Sequence, residues 1–524
     1  MSIQRRIGSL LKLDVSYRRG LLLSFLVGFA VRLIPELLAY PYPIGYDTVQ
    51  HAAKVHSGLV WYHWTSVFST WLLYAFLAPV YASLHVDLFL LLKLAGPVLH
   101  AFSACGIYYF AMKALNWNAQ KSLIAGFFFV FQLAAFRISW DLLKNTLGMA
   151  ILLFALPFVM KMESKTDFLW FVFLSTSVVF AHELASVVMF VAVVGIFLRA
   201  SLRWKLRRLW KISVAVLPAL AVFLASMYFW VFPPKLELRT NEISAFQSFS
   251  RPAGVFFLAD YFAGSGSGQY TGYLDLASHV LSVFVILYLF CLPLVFVGLF
   301  RNAILDVWTV FLVLASFGCL VLPFLAFDYW DRWMFLLVYP FTFYAVNGIS
   351  RVLQSAGGVA RPSFGWLKWM KISKAKTIGI CSCMILLTSF YVGTTLQSDN
   401  YVVFSIPTIS RYFSVAPTVP IRDVADTAKV LMWLNENMKD GSCVLVHYAL
   451  LWWAQLYLER NNVIVSYTTE VERALNVATS FGFAPVYLVW WGESIGWYWF
   501  TVPTNFSPTF ESGRMSVFTY LTSV

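Results

Sequence analysis

From Leu21 to Leu396 the chain is a succession of apolar runs separated by short polar segments. About 20 consecutive apolar residues suffice for a helix to cross the roughly 30 Å of bilayer hydrocarbon. Eleven runs reach or approach that length: 21–39, 86–112, 119–137, 142–160, 168–182, 184–199, 212–232, 274–300, 307–326, 333–351 and 378–396. The pair at 168–182 and 184–199 is short. A further run, 65–84, carries Pro79 and several aromatics and reads as a juxtamembrane or re-entrant helix. Only 12% of residues are charged, against about 25% in a soluble domain. The chain is therefore expected to be an α-helical polytopic membrane protein. Residues 21–39 are followed by "YPYPIGYD" and not by a small-residue cleavage site, so they read as a first span rather than a signal peptide. Six cysteines, mostly inside apolar runs, show no disulfide or metal spacing.

The net charge of +13 maps onto topology. Basic residues gather in three segments: Arg5, Arg6, Lys12, Arg18 and Arg19 near the N-terminus; Arg199, Arg203, Lys205, Arg207, Arg208 and Lys211 in "RASLRWKLRRLWK"; and Arg351, Arg361, Lys368, Lys371, Lys374 and Lys376. Lys and Arg near span ends collect in the cytoplasm. Eleven spans, with 65–84 laid along the interface, put all three segments inside, the N-terminus in the cytoplasm and the C-terminus outside. No basic stripe with interleaved aromatics points to nucleic acid.

This topology brings ionisable groups from several connections to the outer face. Asp47 and His51 follow the first span in "YPIGYDTVQHA". Arg137, Asp141 and Lys144 lie in "FRISWDLLKN", His182 and Glu183 in "VVFAHELASVV", and Asp328, Trp330, Asp331 and Arg332 in "FDYWDRWMF". Charge beside hydrocarbon is costly and tends to mark function. Each group also has a structural explanation. Asp47 suits a helix N-cap, and Asp141 an i, i+3 pair with Lys144. His182–Glu183 suits a polar helix junction, and Asp331–Arg332 an interfacial ion pair. "GSGSG" in the 233–273 loop suits a flexible tip, and Arg32–Glu36 a local pair.

The composition changes near residue 397, dividing a membrane domain, 1–396, from a C-terminal domain, 397–524. "IRDVADTAKVLMWLNENMKDGSCVLVHY", "LLWWAQLYLERNNVIVSY" and "TEVERALNVATSFGFAPVYLVWW" each read as helix, stop, strand. That alternation predicts an α/β unit with a parallel or mixed sheet, placed outside the membrane by the topology. "NFS" at Asn505 is a glycosylation sequon.

This organisation resembles the GT-C membrane glycosyltransferases, such as protein O-mannosyltransferases and the lipid A aminoarabinose transferase. The likeness rests on "GYDT" after span one, "ISWDLLKN" in the next outer loop, "DRWMFLLVYPFTFYAVNGI" and the outer soluble domain. Thr48 stands where aminoarabinose-type members carry a second acid, and the tail lacks Trp-Trp-Asp-Tyr-Gly. The resemblance implies a multi-pass cell-membrane enzyme that moves a sugar from a polyprenyl- or dolichyl-phosphate donor to a lipid, glycan or protein acceptor, with inversion. It implies Asp47 as general base, with Asp141 and Glu183 in the catalytic set. Arg332, then Lys144 and Arg137, would bind the phosphate, with His51, Trp330 and Asp331 beside the substrate. A divalent metal such as Mg or Mn, held by Asp47, Asp141, His182 and Glu183, is the alternative source of positive charge. A transporter and a lipid-binding scaffold are the rival readings.

Overall fold

The computed structural model describes residues 16–45, 47–58, 64–202, 206–232, 242–245, 273–321, 330–355, 359–360, 371–397, 419–459, 461–467, 470–492 and 502–520. Asp328, the "GSGSG" stretch and the basic residues before Ser16 lie outside them.

A helical bundle carries a mixed sheet at one end. Its helices are α1 (Tyr17–Leu38), α2 (Thr48–Ser57), α3 (Leu72–Leu84), α4 (Leu88–Lys113), α5 (Ala119–Val130), α6 (Leu133–Asp141), α7 (Leu143–Lys161), α8 (Lys165–Ala181), α9 (Glu183–Ser201) and α10 (Leu206–Val231). They continue with α11 (Tyr273–Tyr288), α12 (Leu292–Gly298), α13 (Ala303–Phe317), α14 (Trp330–Leu336), α15 (Val338–Gln354) and α16 (Lys374–Gln397). Several start on side-chain caps: Asp87 accepts the Leu90 N–H at 2.8 Å, and Asn118 that of Lys121 at 2.9 Å. Ser164 and Asp167 close a reciprocal capping box at α8.

Among the described residues eight helices are long and apolar enough to cross a membrane, and two bent pairs bring the number to ten. The pairs are α5–α6, bent by 63°, and α11–α12, bent by 72°. Pro293 opens the second limb of the latter. The remaining predicted span, 168–182, corresponds to α8, whose 17 residues lie at the short end of the spanning range. The 13 residues of α3 cover only about 20 Å, so the 65–84 run is too short to cross. The protein is an integral membrane protein. Its α4 packs against α1, α5 and α7 at the centre of one continuous apolar core.

The C-terminal unit holds α17 (Val424–Asn437), β4 (Cys443–His447), α18 (Tyr448–Tyr457), β5 (Val463–Tyr467), α19 (Val471–Ser480), β6 (Val486–Trp491), β7 (Phe506–Ser512) and β8 (Met515–Tyr520). The three predicted helix–strand units are all present. The final hairpin, turning at Gly513 with φ 55°, was not anticipated; "ESGRM" is its signal. Exposed Asn505 precedes β7. A short antiparallel pair, β2 (Val359–Ala360) with β3 (Ile372–Ser373), links α15 to α16.

Sheet order is β1-β5-β4-β6-β8-β7. The first four strands are parallel, with Val444 aligned to Ile464 on one side and Tyr487 on the other; β8 and β7 run antiparallel. Edge strand β1 (Glu242–Ser244) comes from the loop after α10, far before β4 (Cys443–His447) in the chain, and pairs in parallel with β5. Glu242 fixes it by accepting bonds from Gln455 Nε2 at 2.9 Å and Ser466 Oγ at 2.7 Å. β4 is fully buried, as an interior parallel strand with covered faces should be. The chain leaves β4 for β5 on one side and reaches β6 on the other. Ligands favour the carboxyl ends of strands at such a reversal. Here His447 and Tyr448 stand at that end, and His447 Nδ1 accepts the Ala449 N–H at 3.1 Å to start α18.

The sheet unit is seated on the bundle through α18 and α2. Lys54 lies 5.2 Å from the centre of the Trp452 ring, and Phe89 packs 5.8 Å from Trp453. Val49 joins the core of the sheet unit.

Candidate active site

Polar groups at the sheet end of the bundle converge around α2. Asp47 occupies the N-cap position of α2 but makes no capping bond to it, so its carboxylate is not spent on the helix end. Thr48 Oγ1 instead donates to the Ile44 carbonyl. Half-buried Asp47 acts electrostatically on Lys54, Tyr74, Lys144 and Tyr448. Burial pushes the Lys54 ammonium below its ordinary pKa, and the Asp47 charge pulls it back up. Burial, then Asp47 and Glu242, raise the Tyr448 phenol.

Lys144, in the first turn of α7, donates to Thr70 Oγ1 at 3.1 Å and lies 4.6 Å from the centre of the Tyr74 ring. His51 is buried and its Nδ1 meets the Tyr74 hydroxyl at 3.0 Å. It therefore supports the ring on which Lys144 rests. Lys144 and Arg332 both act on His182 and Glu183. The latter two form the break between α8 and α9, where His182 is extended, with φ −165° and ψ 139°. His182 Nδ1 accepts the Leu184 N–H at 3.1 Å, which leaves the ring proton on Nε2, 3.7 Å from Glu183 Oε1. Gly148 lets α7 approach this break: a Cβ there would lie 2.8 Å from Ala185 Cβ.

The candidates from sequence thus separate. Asp47, Lys144, His182, Glu183 and Arg332 form one electrostatic neighbourhood of three carriers of full charge on α7, α9 and α14 around α2's N-terminus. Arg137 is buried with its guanidinium 5.2 Å from the centre of the Phe335 ring. Trp330 is buried in the bundle core, and Asp331 acts on Cys319. Asp141 closes α6; its side chain lies outside the described residues. Lys54, Thr70, Tyr74, Tyr448 and Trp452 were missed. Their signal was weak: Lys54 sits at i+7 from Asp47 in a polar helix, and Tyr448 joins only through the tertiary fold.

Of the four ligands named for a divalent metal, the Asp141 side chain lies outside the described residues. Among the described residues no three His, Cys, Asp or Glu groups come together to hold an ion. The acceptor nitrogen of His182 is already engaged by a backbone N–H.

A second ionic constellation underlies the site. Arg32 and Glu36 on α1 do form the local pair, at 2.9 Å, but Lys93 on α4 joins it at 3.3 Å and also donates to the Glu36 carbonyl at 2.8 Å. Arg32 donates to the Ser139 and Trp140 carbonyls at 3.2 and 3.4 Å, and its guanidinium lies 5.2 Å from the centre of the Trp140 ring. Those carbonyls belong to the last turn of α6, where intrahelical donors run out. Arg32 therefore fixes the helix end that Asp141 terminates.

No family model and no curated protein matches the sequence. Among solved structures, the chain is similar to ArnT from Cupriavidus metallidurans bound to undecaprenyl phosphate. The TM-score is 0.50 and the identity 11%, and the match covers 97% of this chain and 99% of that chain. The likeness extends over both bundle and sheet, and the fold is similar to that of ArnT.

Proposed function

We propose that the protein is a GT-C-type glycosyltransferase that moves a sugar from a polyprenyl-phosphate donor to an extracytoplasmic acceptor. The observation that carries this reading is the convergence of Asp47, Lys54, Lys144, Glu183 and Arg332 at one end of the bundle, beneath the sheet unit. Such a site joins a carboxylate able to take a proton with cations able to meet a phosphate. Undecaprenyl phosphate bound by the structurally similar ArnT supports the donor class.

In this reaction the acceptor hydroxyl gives its proton to Asp47. Its oxygen attacks the anomeric carbon opposite the phosphate and forms the new glycosidic bond. The anomeric carbon–phosphate oxygen bond breaks, and polyprenyl phosphate leaves with the electron pair. The configuration inverts. General base catalysis of this kind contributes about 10²- to 10⁴-fold. Arg332 and Lys144 stabilise the charge that develops on the leaving oxygen. Lys54 and Tyr448 set the field around Asp47. His182, which carries its proton on Nε2, orients Glu183 toward the same space. The N-terminus and the basic segments lie in the cytoplasm, and the sheet lies outside.

The bent pairs α5–α6 and α11–α12 favour one second reading, a transporter, because broken helices line transport sites. One experiment separates the two. Purified protein is offered several polyprenyl-phosphate sugars, and released polyprenyl phosphate is measured beside flux of the same sugars in sealed vesicles. Release without flux is expected. Flux without release would establish the transporter. For orientation, Ser57→Cys should react with an impermeant thiol reagent from outside, whereas Lys205→Cys should not.

A further inference from the structure

Two ten-residue helices lead away from the Asp47 cluster side by side. Helix α2 starts at Asp47 and ends near His56, and α18 starts at Tyr448, in the field of Asp47, and ends at Tyr457. The helices pack against each other, with Tyr448 in the field of Asp47 at one end and His56 and Tyr457 on one crevice at the other. At a rise of 1.5 Å per residue, their far ends lie about 14 Å from their starts. There they open onto a crevice of about 590 Å³, within the range of small-molecule sites. Its walls come from three parts of the fold: His56 from α2; Tyr81 at the end of α3, His85 and Asp87 in the turn that follows and Phe89 at the start of α4; and Tyr457 from α18.

The lining joins rings and aliphatic side chains, among them Val86, Leu88 and Leu456, to a few polar edges. Tyr81, Phe89 and Tyr457 supply aromatic surface, and His56, His85 and Asp87 supply polar edges. His56 Nδ1 meets the Tyr81 hydroxyl at 3.0 Å, which orders both side chains. His85 closes α3 in the left-handed region, with φ 49°, a conformation with a steric cost for a residue with a Cβ. The Asp87 carboxylate opposes a phosphate. No three metal-binding side chains meet there. Two imidazoles and a carboxylate disfavour a lipid tail. A pyranose ring matches what remains, with its C–H face against the aromatic rings and its hydroxyls on the imidazoles and carboxylate.

We infer that this crevice is a sugar-binding subsite that holds a distal pyranose unit of the acceptor, while the reacting hydroxyl lies at Asp47. The word acceptor rests on the glycosyltransferase reading; the binding of a sugar does not. The crevice also offers a reason for a sheet unit seated on α2, since α18 completes both ends.

The test uses the full-length protein in nanodiscs without donor. Saturation-transfer NMR is recorded with methyl α-mannopyranoside, methyl β-glucopyranoside and methyl β-N-acetylglucosaminide, and in parallel with nanodiscs that contain a monoglycosyl diacylglycerol. Saturable binding of at least one sugar is expected. Tyr457→Ala or His56→Ala should weaken it about five- to tenfold, the size of one lost contact of about 1 kcal/mol or slightly more. Tyr457→Phe keeps the ring and should retain binding, which separates loss of stacking from loss of folding. Preference for the soluble glycosides would identify a free glycan acceptor, and preference for the glycolipid a membrane one. Absence of binding to every sugar, or binding unmoved by both Tyr457→Ala and His56→Ala, would overturn the subsite. Sugar binding at the crevice by a protein that transfers nothing would retain the subsite and remove the glycosyltransferase.

Discussion

Two ionic constellations lie at the same end of this bundle, and they differ in how far their charges are matched within the fold. Arg32, Glu36 and Lys93 carry two cations and one carboxylate, with side chains 0, 5 and 4% exposed. Their charges are consumed by one another, by two helix-end carbonyls and by the Trp140 ring. Around Asp47, cations again outnumber carboxylates, but the groups are half-buried. Glu183 keeps 37% of its side chain exposed, and Lys144 is held by a neutral hydroxyl and a ring. Residue type near hydrocarbon therefore does not distinguish structure from function. Closure does. A charge whose partners are all internal fixes geometry, and a charge held at its side by neutral groups remains able to meet a substrate.

The largest expected effect falls on the closed constellation. Glu36→Gln leaves Arg32 and Lys93 buried without a counter-charge, a loss of about 3–5 kcal/mol. A large drop in melting temperature or in yield of folded protein is the measurement. A Glu36→Gln protein as stable as its parent would mean that the triad is not closed. Arg332→Ala should instead leave melting within about 0.5 kcal/mol and weaken undecaprenyl phosphate binding by about 2–3 kcal/mol, as loss of a charged contact does. Calorimetry with that lipid checks it. An unstable Arg332→Ala protein would move Arg332 into the structural class.

The smallest effect concerns Lys54, whose pKa is lowered by burial despite Asp47. The fold favours its neutral form. That contribution is fully present above the unfolded lysine value of about 10.4, and it is lost as pH falls through the lowered folded value. At neutral pH the charged Lys54 therefore costs stability. Lys54→Met should melt slightly higher than the parent at pH 7, with the gain shrinking as pH rises toward about 10, and it should transfer sugar more slowly. A lower melting temperature at pH 7 would show that the pairing with Asp47 outweighs burial.

The bundle was legible from sequence because hydrocarbon imposes length and polarity on every span, and the GT-C resemblance followed from charges at successive span ends. Asp47, Lys144, Glu183 and Arg332 were singled out that way. What sequence lacked was depth. His51 and Arg137 look as polar as Lys144 when read along the chain, yet the fold buries both. Lys93 joins Glu36 across 57 positions of the chain, a pairing that no local pattern carries. Likewise β1 is three residues of the connection after α10 whose place in a distant sheet depends on pairing with β5, a non-local fact. The approach of Tyr448 to Asp47 has the same origin.

The central claim is that the carboxylate at the first exit from the membrane is the base, and Asp47→Asn tests it most directly. The substitution keeps size and most hydrogen bonding but removes the proton acceptor. With a polyprenyl-phosphate sugar turned over by the parent protein, the rate of polyprenyl phosphate release should fall about 10²- to 10⁴-fold. The affinity for undecaprenyl phosphate and the melting temperature should stay close to the parent values. An Asp47→Asn protein that releases polyprenyl phosphate at the parent rate would contradict the claim and transfer the role to Glu183 or Asp141.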